Sequence, residues 1–306
     1  MLTNNTVAVA LPSPNDSYYM AMYKNLIRFY YDFVQILSMF HEVVIFADSN
    51  SAEDLDMFGG LPNSAQIVIN KPPCIWLRDW MPILTRKGLV RAEIQPPYIS
   101  PHKAAELTEW VQQFLADYDL VASDLGLIID GGNIVLNPER SLGIMTEAAC
   151  LLNPGIVPEK VKRCLADDLG LERVILIPVE PGDLLAHADG MVRWISPNTL
   201  LINSYPKHFR RKLLNIFEQE LNSNVNIVEL PCIYVNELYR GIPFATGCYI
   251  NMFLSDKVCV VPTFQDDASD KRAFDIINEY SEIPVFQLDC TAIAKFGGVL
   301  NCITWN

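Results

Sequence analysis

Asp189-Gly190-Met191-Val192-Arg193-Trp194-Ile195-Ser196-Pro197-Asn198-Thr199-Leu200-Leu201-Ile202 reads as one polar residue at the head of a β-hairpin. The apolar runs on either side suit a pleated surface, and Ser196-Pro197-Asn198 supplies backbone angles that reverse a strand. The same order of residues recurs along the chain. Asp79 leads into Met81-Pro82-Ile83-Leu84, the turn Arg86-Lys87-Gly88 and then Leu89-Val90-Arg91-Ala92-Glu93-Ile94. Asp130 leads into Ile134-Val135-Leu136, the turn Asn137-Pro138-Glu139-Arg140 and then Gly143-Ile144-Met145. Asn251 leads into Met252-Phe253-Leu254, the turn Ser255-Asp256-Lys257 and then Val258-Cys259-Val260-Val261. Cys302, four places from the last residue, heads a fifth segment. Successive leading residues are 51, 59, 62 and 51 positions apart, a spacing expected of tandem structural units.

Five such units set around an axis would bring their leading residues together at one end of it, so the repeat itself predicts a pocket. Asp and Asn beside Gly also cap unrelated turns, and that plainer reading leaves the residues apart. Helices are predicted between the hairpins, at Ala104 to Tyr118, Pro158 to Leu169, His208 to Leu221 and Asp267 to Tyr280, from apolar residues at helical spacing. A further helix is expected from Tyr18 to Met39, between strand-like runs at Val7 to Leu11 and Val43 to Ala47. No Gly/Ser-rich or charge-dense stretch divides the chain, so residues 1–306 are expected to form one α/β domain of five repeated units.

Half of the 306 residues are apolar, enough for a sizeable core. Lysine and arginine number 23 against 36 acidic residues, and the resulting charge of −13 repels a phosphate backbone. Nucleic acid is therefore not an expected partner; a small cation suits the charge better, although excess acid also simply keeps a protein dispersed. Met1-Leu2-Thr3-Asn4-Asn5 lacks the basic head and apolar run of a secretory leader, and no run approaches the roughly 20 apolar residues of a membrane span. A cytoplasmic protein without membrane contact is the expectation, with the oligomeric state open, a homo-oligomer included. Eight cysteines show no Cys-x-x-Cys pair, and most are expected to be buried small apolar side chains, Cys259 the clearest. The four histidines have no finger spacing with them, so no zinc site is expected.

Cys302 differs from the other cysteines because it follows Gly297-Gly298, which lets neighbouring backbone approach closely. A thiol becomes a nucleophile when a cation or imidazolium stabilises its thiolate. His187 stands two places before Asp189; on extended chain the two side chains point the same way, setting a proton carrier beside a carboxylate. Asp79, Asp130, Asp189, Asn251 and His187 could ligate a hard metal. A guanidinium also fits, being planar, permanently charged and matched by paired carboxylates. A thiol has little place at a hard metal but is the reagent that attacks a guanidinium carbon, so no metal or cofactor is expected.

Trp76-Leu77-Arg78-Asp79, Asp130-Gly131-Gly132-Asn133-Ile134, His187-Ala188-Asp189, Tyr249-Ile250-Asn251 with Val260-Val261-Pro262, and Gly297-Gly298-Val299-Leu300-Asn301-Cys302-Ile303-Thr304 together resemble the agmatine deiminase and Porphyromonas-type peptidylarginine deiminase family. The resemblance covers most of the chain from Trp76 to Trp305 and implies a five-bladed α/β propeller, the pentein fold, of pseudo-fivefold symmetry. It implies a hydrolase in which Cys302 attacks the guanidinium carbon, His187 protonates departing ammonia, and the covalent S-alkylthiouronium is hydrolysed by a water that His187 deprotonates. Asp79 and Asp189 would grip the guanidinium nitrogens, Asp130 would orient His187 or share that grip, Asn251 would support the nucleophile's surroundings, and Trp76 would wall or stack on the cation. Agmatine, giving N-carbamoylputrescine, is the substrate it implies first. Arginine, methylated arginine or peptidyl-arginine, with hydrolysis or amidine transfer, stay open, as does a guanidine-binding protein without catalysis. The chain departs from the family pattern at Asn301, where many members have His, and at Ala186, where Gly is usual.

Overall fold

The computed structural model describes residues 5–306, so the leader expectation at residues 1–4 lies outside the described residues. Each leading residue stands two to five positions before a short strand, and these five strands open five sheets of the same connectivity. Ile83–Thr85 pairs antiparallel with Gly88–Glu93, which pairs parallel with Ala122–Ile128 after the helix Pro101–Asp117. Val135–Leu136, Leu142–Thr146 and Arg173–Ile177 repeat that order around Pro158–Leu169. Val192–Ser196, Thr199–Asn203 and Asn226–Leu230 do so around Lys207–Glu220. Phe253–Leu254, Cys259–Thr263 and Val285–Asp289 do so around Asp267–Tyr280. The fifth sheet joins the two ends of the chain: Thr304–Trp305 pairs antiparallel with Thr6–Ala10, in register Val9 with Thr304, and Thr6–Ala10 pairs parallel with Glu42–Ala47 after Tyr23–Leu37.

The helices form where the sequence supplies both an apolar stripe and a stop. Tyr23–Leu37 buries Leu26, Ile27, Tyr30, Phe33, Val34 and Leu37, the three-and-four spacing of one helix face. Each such side chain removed from water contributes roughly 1.5–3 kcal/mol before conformational entropy is subtracted. Pro101–Asp117 starts on Ser100, whose hydroxyl accepts from Lys103 N at 3.2 Å, and Pro158–Leu169 ends on Gly170 at φ +68°. Asp266 Oδ1 accepts from Ser269 N at 3.0 Å to start Asp267–Tyr280, whose bounds agree with the sequence reading.

Three features differ from expectation. The amino-terminal helix is preceded by a 3₁₀ turn at Met20–Met22 instead of running from Tyr18. A helix at Ser49–Asp56 carries the chain to a fourth strand, Ala65–Ile69, on the edge of the sheet that joins the termini. Of the eight cysteines only Cys259 and Cys290 are fully buried; the other six are half-buried, because they stand at helix faces and loops rather than in central strands. Among the described residues no helix is long and apolar enough to cross a membrane.

Candidate active site

The loops that lead into the five sheets hold one another by backbone bonds. Asp79 lies in the single helical turn Leu77–Trp80, and Arg78 N donates to the carbonyl of Cys302 at 3.1 Å, tying the first unit to the last. Asp130 precedes a 3₁₀ turn at Gly131–Asn133, and His187 precedes another at Ala188–Gly190. Asn133 joins these two turns to the neighbouring strand: its Oδ1 accepts from Thr146 N at 2.9 Å and from Ala188 N at 3.2 Å. Thr146 Oγ1 donates to the carbonyl of Ala186 at 2.5 Å, and Ala186 is held at φ +57°. That left-handed backbone explains why a glycine suits the position.

The 3₁₀ turn overturns the expectation that His187 and Asp189 point the same way. Extended chain would set them side by side; one residue of helical turn between them sends their side chains to different partners. His187 Nε2 lies 3.1 Å from Asp130 Oδ2, and His187 Nδ1 lies 3.5 Å from Asp79 Oδ1. Asp189 Oδ2 instead accepts from Asn301 Nδ2 at 2.6 Å and from the Cys302 thiol at 3.6 Å. Asn251 spends both ends of its amide on backbone: Oδ1 accepts from Cys302 N at 3.3 Å, and Nδ2 donates to the Asp189 carbonyl at 3.4 Å. Trp76 lies close enough to the loop before Cys302 that a Cβ on Gly298 would come within 2.6 Å of its ring.

His187, Asp130, Asp189 and Asn251 are buried, while Cys302, Asp79 and Trp76 are half-buried. Burial pulls the His187 imidazole down, but Asp79, the Asp130 hydrogen bond and Asp189 overcome it and raise its pKa to about 10. His187 is therefore an imidazolium at neutral pH. Burial raises Asp79 to about 7 against the opposing pull of His187, with Asp130 and Asp189 adding to the rise. Burial, then Asp189 and Asp79, push the Cys302 thiol well above its ordinary range, so the free protein carries a neutral thiol. Asp79 Oδ1 is buried and makes no hydrogen bond, with His187 Nδ1 at ion-pair distance, 3.5 Å. An N–H-bearing cation would answer that oxygen and, by its charge, favour the thiolate. Among the described residues no three His, Cys, Asp or Glu side chains are grouped to hold a metal ion.

Several contributors carried no separate signal in the sequence. Tyr98, 37% exposed, donates its hydroxyl to Asp130 Oδ2 at 2.8 Å and packs its ring edge toward His187 at 6.3 Å. Gly132 is the contact point of the pair: a Cβ there would stand 2.5 Å from Asp79 Oδ1 and 2.7 Å from His187 Nδ1. Gly132→Ala is expected to force the imidazole and carboxylate apart, lowering stability by about 1–3 kcal/mol, the range for overpacking, and depressing turnover. Thermal unfolding and steady-state kinetics on the same preparation check this; an active variant of unchanged stability would contradict the packing described.

Residues 2–306 match the family described as Porphyromonas-type peptidyl-arginine deiminase. A curated relative from Legionella pneumophila, named "Putative agmatine deiminase", is 24% identical over 197 residues, which cover 58% of this chain and 55% of the relative. The chain thus spans about half the length of the curated relatives it matches. The fold is similar to that of an agmatine deiminase from C. jejuni, with a TM-score of 0.80 at 17% identity over 99% of this chain and 92% of that one. A cysteine-to-serine variant of that agmatine deiminase with substrate bound has a TM-score of 0.77, at 17% identity and the same coverage.

Proposed function

Because the chain belongs to the Porphyromonas-type peptidyl-arginine deiminase family, we propose that it is a hydrolytic deiminase of a small guanidine, agmatine first, releasing N-carbamoylputrescine and ammonia. The observation that carries this reading is a thiol on Asp189 Oδ2 beside an Asp79 carboxylate whose buried Oδ1 makes no hydrogen bond and stands 3.5 Å from the His187 imidazolium. Two carboxylates then take the N–H edges of one planar cation and present its carbon to sulfur.

The guanidinium supplies the positive charge that the neutral thiol lacks. Cys302 releases its proton to solvent as the cation arrives, and the thiolate adds to the guanidinium carbon. The imidazolium of His187 gives its proton to one nitrogen of the tetrahedral adduct, and ammonia leaves as the carbon–nitrogen bond breaks. Neutral His187 then takes a proton from water, whose oxygen adds to the thiouronium carbon; collapse expels the thiolate and leaves a urea-type product. Asp130, with Tyr98 on the same oxygen, keeps the imidazole oriented through both transfers, as a carboxylate does in other triads. No redox change occurs: the hydroxyl proton of the adduct returns to the expelled thiolate, and the proton first released from the thiol leaves with ammonia as ammonium.

Five sheets of equal strand order, closed by the pairing of residues 304–305 with 6–10, support an arrangement of five blades about one axis, with residues 1–306 as one deiminase domain. The relatives' printed names favour agmatine among small guanidines. Incubating the protein with agmatine, arginine, methylated arginines and arginyl peptides in ¹⁸O-water tests the reading. Ammonia release with ¹⁸O in the ureido oxygen of one product is expected, agmatine's above all. Amidine transfer would give a new guanidine and no ureido product, and a folded protein inert toward every substrate would end the proposal.

A further inference from the structure

Two arginines are enclosed beside Cys302, and neither lies within ion-pair distance of a carboxylate among the described residues. Their donors go to amide oxygens instead. Arg193 Nη1 donates to Asn301 Oδ1 at 2.9 Å; Arg78 Nη2 donates to Asn306 Oδ1 at 2.6 Å, and its Nε to the Asn301 carbonyl at 3.4 Å. Burial lowers both guanidiniums, Arg78 to about 10 with Arg193 adding to the fall, while Asp189 and Cys302 pull each of them back. Two poorly compensated cations therefore stand next to a carboxylate that the proposed chemistry needs ionised.

Asn301 is the one side chain that joins the two sides. Its Oδ1 faces the Arg193 donor, and its Nδ2 donates at 2.6 Å to Asp189 Oδ2, the oxygen that also takes the Cys302 thiol. The partners fix which end of the amide is which, since a guanidinium can only donate and a carboxylate only accept. An aliphatic side chain here would leave a buried cation and a buried anion each short of a bond. A carboxylate would satisfy Arg193 but set two anionic oxygens against each other.

We propose that Asn301 is a positioning residue that turns Asp189 Oδ2 toward Cys302 Sγ and couples Asp189 to Arg193, so that the guanidinium grip depends on this one amide. The proposal rests on the deiminase reading above. The amide settles the rotamer of Asp189, leaving the second carboxylate oxygen for substrate. Arg78, Arg193, Cys302, Cys248, Asp79 and His187 are the other charged or titratable groups in electrostatic reach of Asp189.

Asn301→Leu keeps the volume and removes both bonds; it is expected to lower kcat/KM by about 10–100-fold, the loss typical of a hydrogen bond to a charged group, with KM rising. Asn301→Asp is close to isosteric, so it keeps the packing, and it can donate to Asp189 only while a proton is shared between the two carboxyls. Its kcat/KM relative to the unaltered protein should therefore fall, by about tenfold, as rising pH removes that shared proton. A purely structural role predicts a ratio that does not change with pH. A folded Asn301→Asp with a constant ratio, or Asn301→Leu within threefold of the unaltered enzyme, would overturn the proposal. Cys302→Ala, run alongside, separates the two readings: if it still releases ammonia the deiminase mechanism fails, and if it is inert while both Asn301 variants behave normally only the role of Asn301 fails.

Discussion

Cys302→Ala is expected to reduce ammonia release by about 10³-fold or more, the scale on which removing a nucleophile acts in enzymes that use a covalent intermediate, while the fold and the affinity for substrate are kept. The structural cost is small. The thiol makes one long contact, 3.6 Å to Asp189 Oδ2, and the backbone of residue 302 is held independently by Asn251 Oδ1 and by Arg78 N. Burial together with Asp189 and Asp79 keeps the thiol neutral, so its loss removes no charge and leaves the carboxylates that would hold the cation. Substrate should bind the alanine variant at least as tightly as the unaltered enzyme, since binding no longer has to displace a thiol proton. Two measurements separate chemistry from binding. Isothermal titration with agmatine should give a dissociation constant near the KM of the active protein, and acid-quenched mass spectrometry should find a covalent amidine adduct on Cys302 of the active protein alone. A variant that retains a tenth of the activity would refute the covalent route, and a guanidine-binding protein without catalysis would show no adduct in either form.

The hairpins were legible because each reversal is marked chemically. Arg86-Lys87-Gly88, Ser196-Pro197-Asn198 and Ser255-Asp256-Lys257 stand between apolar runs that pair as expected, Ile83 with Val90, Val192 with Ile202 and Phe253 with Val260. Pro158–Leu169 and Asp267–Tyr280 were equally plain, with proline or an acid at one end and buried residues three and four apart. Ala65–Ile69 gave no such signal, since only its pairing to Glu42–Ala47 makes it a strand and its side chains are mostly half-exposed. The candidate site divides in the same way. Polar residues at the heads of hairpins could be collected by spacing alone, and the structure brings Asp79, Asp130 and His187 together, with Asp189, Asn251 and Cys302 beside them. What the spacing could not supply is pairing across the assembled loops. Asp130 reaches His187 over 57 positions, and Asn301 reaches Asp189 over 112 and Arg193 over 108, so each side chain's partner depends on how whole units dock. The short 3₁₀ turn at Ala188–Gly190 illustrates the limit on a smaller scale: a two-residue spacing puts two polar groups near one another and still misplaces where they aim.

His187→Gln should lower kcat/KM by about 10²–10⁴-fold, the usual contribution of a positioned acid and base, and it should also change how stability responds to pH. In the folded protein the imidazolium, 3.1 Å from Asp130 and 3.5 Å from Asp79, holds its proton up to about pH 10. Unfolded, the same imidazole releases it near 6.5. The folded state therefore binds more protons between those values, so the stability contributed by His187 is fully present below about pH 6.5 and is lost as pH rises toward 10. Asp79 acts in the same direction at lower pH: burial raises it to about 7, so its contribution is lost between the ordinary carboxylate range and 7. The unaltered protein should thus unfold at progressively lower temperature from pH 6 to pH 10. Glutamine cannot take up the proton, so the variant should start less stable at pH 6, and its melting temperature should fall less between pH 7 and 10. Parallel slopes for the two proteins in calorimetry across that interval would mean that His187 is not held as an imidazolium. Activity follows the same protonations. The proposed chemistry needs Asp79 ionised and His187 charged, which predicts kcat/KM rising through about pH 7 and falling near 10 in the unaltered protein, and a glutamine variant whose residual rate has lost the alkaline fall.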